Sequence, residues 1–167
     1  VRAAEEVAAG RVPNIEGLDL DRAGIAFSPK GVTVDARLRT TNKKVFAIGD
    51  AAGGLQFTHV AGYHAGIVIR NALFKVPAKA DHTNIPWATY TDPELAHVGL
   101  TEAQAKAAGS WARTLHWELK ENDRAQAERE TEGRIKVVVD KKGGILGVSI
   151  VGPHAGDLIH PWVLARA

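Results

Sequence analysis

One carboxylate stands where a ligand site is expected, at the end of a short apolar run. Residues 45–48, Val-Phe-Ala-Ile, stop at Gly49 and Asp50, and a loop of small residues follows. This pattern predicts a buried strand, and open α/β sheets bind their ligands at the carboxyl ends of such strands. Asp50 could accept hydrogen bonds from a chain of sugar-like hydroxyl groups, and Gly49 would let that ligand approach the backbone closely. An aspartate that only caps the next turn is an equally open interpretation.

A helix is predicted after this carboxylate, over residues 58–74. Apolar residues cover most of its circumference, which indicates a largely buried helix, and Thr58 is expected as its N-cap. The free N–H groups and the positive dipole end at residues 56–59 would suit an electron-rich carbonyl or a partly anionic ring. Because every helix has such an end, an ordinary helix start over a core is the alternative. The pairing with Asp50 favours the site.

Composition favours a globular protein and argues against several functions. The chain has 167 residues, of which 45% are hydrophobic and 24% charged, enough for one domain or two small ones. A net charge of +2 does not indicate a nucleic-acid partner. No stretch approaches the ~20 apolar residues of a membrane span. Without cysteine there is no disulfide, thiolate nucleophile or sulfur-bound metal, and the histidines form no ligand-spaced cluster. We therefore expect no metal, no nucleic acid, no membrane and a cytoplasmic setting.

The elements before residue 76 indicate the tail of an α/β domain, and those after residue 84 indicate an antiparallel α+β unit. Residues 7–10 read as the end of a strand, and residues 76–84 as a domain boundary. A capping box at Thr101–Gln104 opens a helix that Gly109 should stop, and a last helix is expected near Ala155. Strands are predicted at residues 86–91, 96–100 and 111–119, with a hairpin of 135–139 and 145–151.

Four motifs, in order, resemble the pyridine nucleotide-disulfide oxidoreductases, the family of dihydrolipoamide dehydrogenase, glutathione reductase and mercuric reductase. TTNKKVFAIGD followed by QFTHVAGYHAGIVIRNALF is similar to the family's carboxyl-terminal FAD-contacting segment. AAGRVPN resembles the end of its NAD(P)-binding domain. PWATYTDPELAHVGLTEAQAK resembles the opening of its dimerisation domain, and ILGVSIVGPHAGDLI the later core of that domain. The resemblance covers nearly the whole chain.

The resemblance implies a fold class and three domain segments. Residues 1–16 would be the tail of the NAD(P)-binding domain, and residues 17–76 the carboxyl-terminal segment of the FAD-binding domain. Both would be α/β ends of Rossmann-like domains. Residues 77–167 would be a truncated dimerisation domain with an antiparallel α+β fold. A homodimer would form through residues 85–167.

The resemblance also implies cofactors and the residues that bind them. Asp50, beside Gly49, would hold the ribityl hydroxyls of FAD, and Gly10 would approach the nicotinamide nucleotide of NAD(P)H. The segment whose backbone meets the isoalloxazine ring would be the one at the helix start: Gln56, Phe57, Thr58 and His59.

The implied function is part of an FAD-dependent enzyme that passes electrons from NAD(P)H to a disulfide or another small-molecule acceptor. A role in cell redox homeostasis follows from it. The family's cysteine pair and glycine-rich fingerprints are absent from this sequence, and His160-Pro161 lacks the threonine of the family's catalytic motif. We therefore expect no catalytic residue, no activity of this chain alone, and weak or absent FAD binding. A metal ion or quinone acceptor, and NADH or NADPH, stay open. The alternative is a non-catalytic dimerisation module from a truncated flavoprotein.

Overall fold

The computed structural model of the protein describes residues 10–111 and 113–167, so the predicted strand end at residues 7–10 lies outside the described residues except for Gly10. The chain divides between Asp81 and His82 into two compact units. Below, the first unit means residues 10–81, and the second unit means residues 82–111 and 113–167. None of the helices described in either unit has the length and apolar character needed to cross a membrane.

The first unit has little regular structure before its one long helix. Strands β1 (Phe27–Ser28) and β2 (Gly31–Val32) form an antiparallel hairpin that pairs Phe27 with Val32 and Ser28 with Gly31. A 3-10 turn, Gly49–Ala52, precedes helix α1 (Thr58–Ala72). This helix ends two residues before the predicted position, at Ala72 instead of residue 74.

The apolar run before Asp50 is extended but joins no sheet formed by residues 10–111 and 113–167, so the predicted buried strand was wrong in this respect. Phe46 makes one antiparallel bridge, to Arg39, and the Ala47 N–H donates to the Leu38 carbonyl at 3.1 Å. Ile48 is 37% exposed. A strand of a parallel sheet needs hydrogen-bonding neighbours along its length. Among the described residues, the run pairs only with the segment that precedes it.

Helix α1 buries one stripe, which is less than its composition predicted. Its buried residues are Val60, His64 and Ile67, spaced so that they share one face of the helix. The small core of this unit joins Ile67 to Leu38 and Ala78. Leu73, just past the helix, is 71% exposed. The helix is therefore amphipathic within this unit.

The second unit is built on a five-stranded antiparallel sheet in the order β3-β4-β7-β6-β5, which confirms the antiparallel part of the predicted fold class. Its strands are β3 (Trp87–Thr89), β4 (Glu94–Gly99), β5 (Arg113–Glu118), β6 (Arg134–Val139) and β7 (Ile145–Gly152). Its helices are α2 (Glu102–Ala107), α3 (Asp123–Glu128), α4 (Ala155–Leu158) and α5 (His160–Arg166).

The core of the second unit lies between one face of the sheet and helices α4 and α5. Cross-strand registers place Ala96 opposite Ile150 and Val98 opposite Val148, and all four side chains are fully buried. Ile159, between the two helices, closes the cluster. Burying a side chain of this size contributes about 1.5–3 kcal/mol. The period-two pattern of β4 and β7 therefore determines which face the helices cover.

His97 lies on the other face of the sheet and is buried with both ring nitrogens satisfied. Nε2 lies 3.0 Å from the Gly99 carbonyl, which can only accept, so Nε2 carries the hydrogen. In the neutral ring Nδ1 then accepts from the Ser149 hydroxyl, at 2.9 Å. Burial lowers the pKa of His97, the bond to Gly99 raises it, and the charge of Arg166 lowers it. The balance favours the neutral ring.

Helix α2 begins with the predicted capping box and is tied to the sheet by one carboxylate. Thr101 and Gln104 exchange the two reciprocal hydrogen bonds of that motif. Glu102 pairs with Lys106 on its own helix at 2.6 Å and with Lys136 on β6 at 2.7 Å. The hydrogen bonds from Lys106 and then from Lys136 lower the pKa of Glu102 from 4.5 to about 2.

The stabilisation that the Glu102 carboxylate gives to the fold should depend on pH. Because the pKa of Glu102 in the folded protein lies below its ordinary value of 4.5, the pairing stabilises the fold above that pH. This contribution is lost as the pH falls towards about 2. Glu102→Gln should therefore lower the denaturation midpoint near pH 7, and the deficit should shrink on acidification below about pH 4.

Urea denaturation of both proteins across this pH range measures the effect. Glu121→Gln is the control, since Glu121 makes no ion pair with any described residue. A deficit for Glu102→Gln that stayed constant with pH would show that the two lysine contacts do not stabilise the charged form.

Candidate functional site

Asp50 lies in the 3-10 turn between the extended run and a glycine-rich loop. Its side chain is exposed, and it forms no hydrogen bond or ion pair with another residue of the described chain. The turn is closed by the backbone, since the Gly53 N–H donates to the Asp50 carbonyl at 3.0 Å. Within the described residues the Asp50 side chain therefore caps nothing, and its carboxylate faces outward as an acceptor.

Gly49 places this turn directly against helix α1. Its φ is +58°, in the left-handed region, and it is buried. A Cβ at this position would lie 2.9 Å from the Cβ of Ala61, the fourth residue of the helix. Only glycine combines this backbone angle with this close approach at low cost. The turn that carries Asp50 thus rests on the first turn of α1.

The glycine loop after Asp50 packs equally closely on the β1–β2 hairpin. A Cβ at Gly53 would lie 2.1 Å from the Lys30 carbonyl oxygen, and one at Gly31 would lie 2.7 Å from the Gly53 nitrogen. The missing side chains let two backbone segments touch. The hairpin therefore supports the glycine loop through direct backbone contact.

The start of α1 presents backbone N–H groups with no side-chain cap. Phe57 occupies the N-cap position, with φ −128° and ψ 144°, and no side chain caps the helix there. The prediction of Thr58 as N-cap was wrong by one residue, because Thr58 already has its place inside the helix. The Phe57 ring stacks on that of His59 with centroids 5.4 Å apart. Among the described residues, the first N–H groups of α1 therefore have no side-chain cap at the end of the helix where its dipole is positive.

Gln56 and Gly10 complete the set of predicted site residues. The Gln56 carbonyl accepts a hydrogen bond from Arg11 Nη1 at 3.1 Å, so the segment that begins at Gly10 reaches the entry to α1. Gly10 is exposed, has φ +85° and has open space where a Cβ would lie. A shallow cleft of about 300 Å³ lies nearby and is lined by Arg11, Val12, Pro13, Pro29, Lys30, Gly54 and Gln56.

His64 is the residue of this region that the sequence analysis did not single out. It is buried, and its Nδ1 accepts the N–H of Gly49 at 3.1 Å. The sequence carried one signal for it, because position 64 shares a helix face with Val60 and Ile67. A polar residue within an apolar stripe needs a hydrogen-bond partner when it is buried.

Comparison with protein families identifies both units. Residues 6–65 match the model described as "Pyridine nucleotide-disulphide oxidoreductase". Residues 85–167 match the model described as "Pyridine nucleotide-disulphide oxidoreductase, dimerisation domain". The first match includes the Asp50 turn and the start of α1, and the second includes the whole antiparallel sheet.

Curated relatives and solved structures match over nearly the whole chain. The chain is 36% identical to dihydrolipoyl dehydrogenase of Bacillus subtilis over 92% of its length, which is 33% of that relative. It is 42% identical to mercuric reductase of Staphylococcus aureus over 95% of its length, which is 29% of that relative. It thus spans about a third of the length of the relatives it matches.

A solved structure of a flavoprotein disulfide reductase has a similar fold over nearly the whole chain. The chain resembles the HOCl-induced flavoprotein disulfide reductase RclA from Escherichia coli with a TM-score of 0.86 and 31% sequence identity. The match covers 95% of this chain and 37% of the RclA chain.

Alanine substitutions at two glycines should separate backbone strain from steric contact. Gly49 and Gly54 both have positive φ, but a Cβ at Gly54 would meet nothing within 4 Å. Gly49→Ala and Gly54→Ala should each lose about 1–2 kcal/mol of unfolding free energy from the left-handed backbone. Gly49→Ala should lose about 1–3 kcal/mol more of the unfolding free energy, because its Cβ would overlap with that of Ala61. Denaturant titration measures both, and equal losses would refute the close packing of the turn on α1.

Proposed function

Because the chain belongs to the pyridine nucleotide-disulphide oxidoreductase family, we propose that it forms part of an enzyme that passes electrons from NAD(P)H through FAD to an acceptor. Members of this family use FAD and NAD(P)H. In this assignment residues 1–16 end the NAD(P)-binding domain, residues 17–76 belong to the FAD-binding domain, and residues 77–167 to the dimerisation domain. The chain's share of the work is to bind and orient the flavin and to pair subunits.

The observation that carries this proposal is the packing of the Asp50 turn on the start of α1. The turn brings an exposed carboxylate next to a helix end without a side-chain cap. A carboxylate is an acceptor suited to a chain of hydroxyl groups, and a helix start is suited to an electron-rich ring. The two groups together fit FAD, whose ribityl chain and isoalloxazine ring are joined.

Each residue of the site then has a definite task. Asp50 would accept hydrogen bonds from the ribityl hydroxyls. Gly49 lets the turn pack closely on α1, which places Asp50 beside the helix start. The backbone from Gln56 to His59 would meet the isoalloxazine ring, and the dipole of α1 would stabilise negative charge on the pyrimidine side of the bound flavin. FAD supplies the redox chemistry when bound, whereas the protein supplies orientation and electrostatics.

The other partners of the enzyme are proposed from the same resemblance. Gly10, with open space around it, would approach the nicotinamide nucleotide of NAD(P)H. The relatives' names include a disulfide reductase and a mercuric reductase, so the acceptor is proposed to be a disulfide or another small species such as a metal ion. We also propose a cytoplasmic enzyme that contributes to cell redox homeostasis.

A homodimer through residues 85–167 is proposed from the dimerisation-domain match. The second unit exposes several large apolar side chains, including Trp117 on β5 and Leu164 on α5, and Leu164 is 80% exposed. Apolar residues of this kind are what a symmetric interface buries.

The second candidate is a non-catalytic dimerisation module. The contrast between the two units favours it, since the second has a full five-stranded sheet and the first only a hairpin of two short strands. On this alternative the chain would pair with itself and bind no flavin.

Flavin titration tests the role of Asp50. Quenching of FAD fluorescence should show weak binding of FAD by the chain. Asp50→Asn should raise the dissociation constant about tenfold or more. Hydrogen bonds to a charged group contribute about 1.5–3 kcal/mol, and about 1.4 kcal/mol is a factor of ten. Asp21→Asn, at another exposed aspartate of the first unit, should leave the affinity unchanged. Equal, measurable affinities of the wild type and Asp50→Asn would refute the assigned role.

Sedimentation equilibrium tests the proposed interface. Leu164→Asp should raise the dimer dissociation constant at least tenfold or so, because it places a charge among buried interface residues. Leu73→Asp introduces the same charge at an exposed leucine of the first unit and is the matched control. If Leu73→Asp dissociates the dimer and Leu164→Asp does not, the interface lies outside residues 85–167.

A further inference from the structure

The Asp50 turn is held on α1 by two contacts of different kinds, and both involve Gly49. The first contact is steric, between Gly49 and Ala61. The second is the buried hydrogen bond from the Gly49 N–H to Nδ1 of His64, at 3.1 Å. A steric contact limits how near the turn can come, whereas a hydrogen bond also sets the direction in which its peptide groups point.

We propose that His64 is a positioning residue for Asp50, acting through the unprotonated Nδ1 of its imidazole. The peptide unit that His64 holds joins Ile48 to Gly49, and Asp50 is the next residue in the chain. With this N–H pinned, the turn cannot rotate about the Gly49–Ala61 contact, and the Asp50 carboxylate keeps its direction relative to the start of α1. This inference deepens the proposed FAD site and rests on it for its functional meaning.

The chemistry of the imidazole restricts His64 to one form. A backbone N–H can only donate, so Nδ1 must present a lone pair, and the ring hydrogen of the neutral form is on Nε2. A ring with hydrogen on Nδ1 would set two donors against each other. The structure therefore assigns His64 as the neutral Nε2–H tautomer, which is a property that can be measured directly.

The helix places the imidazole for this role. His64 lies on the buried face of α1 with Val60 and Ile67, one turn beyond Ala61. Residues three or four apart on a helix are neighbours on its surface. Ala61 and His64 therefore form adjacent supports, a small residue that lets Gly49 approach and a polar residue that binds it.

Two substitutions of His64 distinguish an acceptor that positions the Gly49 N–H from a polar side chain that only fills the buried space. In His64→Asn the amide oxygen can take the place of Nδ1, whereas in His64→Gln it can take the place of Nε2, one bond further from the backbone. Both variants keep a polar side chain at a buried position. Only the asparagine variant keeps an acceptor within reach of the Gly49 N–H.

Nuclear magnetic resonance of the 167-residue chain tests the bond without any flavin. We expect Nδ1 of His64 to show the chemical shift of an unprotonated nitrogen. Amide hydrogen exchange at Gly49 should be at least tenfold faster in His64→Gln than in the wild type, with His64→Asn close to the wild type. The buried Thr40, whose N–H donates to the Val45 carbonyl at 3.0 Å, is the internal control for folding of this unit.

Several results would overturn the proposal. A hydrogen on Nδ1, or unchanged exchange at Gly49 in His64→Gln, would remove the bond on which it depends. Loss of protection at Thr40 as well as Gly49 in both variants would make His64 a residue required for folding, with no local role.

FAD titration of the same variants connects the bond to the site. The affinity for FAD should fall about fivefold or more in His64→Gln, since lost contacts to a charged group have effects of this order. In His64→Asn the affinity should stay close to that of the wild type. Equal affinities in both variants, with Asp50→Asn still defective, would overturn the positioning role and leave the proposed function intact. If Asp50→Asn also has no effect, the proposed FAD site fails, and the exchange measurement decides on its own whether His64 holds the turn.

Discussion

The close contact between Gly49 and the first turn of α1 is the constraint on which the candidate site depends. The contact requires a residue that tolerates a φ of +58° and has no Cβ to meet Ala61. Because Asp50 follows Gly49 directly, this contact also places Asp50 beside the helix start. Substituents at Gly31 and Gly53 would also meet backbone atoms, so the loop behind the turn is held by the same kind of contact. A ligand that uses both Asp50 and the helix dipole needs this arrangement, since neither group alone is specific for a flavin.

The two units obtain their order from different interactions. In the second unit each inner strand has a hydrogen-bonded neighbour on both sides, and the core between sheet and helices is continuous. In the first unit the order comes from close backbone packing, from a small cluster around Ile67, and from the bond between Gly49 and His64. Such a unit depends on a few specific contacts, so single substitutions at glycine or histidine positions should have large effects there.

Most elements of the second unit were predictable because their signals are local. The capping box at Thr101 and Gln104 spans four residues, and the hairpin turn before β7 spans five. The apolar runs at residues 96–100 and 145–151 also predicted strands where β4 and β7 lie. In the first unit the run before Asp50 had the composition of a strand, but a strand is completed by partners elsewhere in the chain. Composition cannot supply those partners, and the described residues leave this run with a single bridge to Arg39.

The sequence by itself determined the family, the antiparallel pattern of the second unit, and the adjacency of Gly49 and Asp50 before a helix. These follow from residues close together in the chain, or from motifs in a fixed order. Only the tertiary structure decided that Phe57 and not Thr58 occupies the N-cap position, and that the Asp50 carboxylate caps nothing within the described chain. It alone also paired Glu102 with Lys136 and Gly49 with His64. These contacts join residues far apart in sequence, and their distances and angles arise when the chain folds. No periodicity or local spacing in the sequence encodes them.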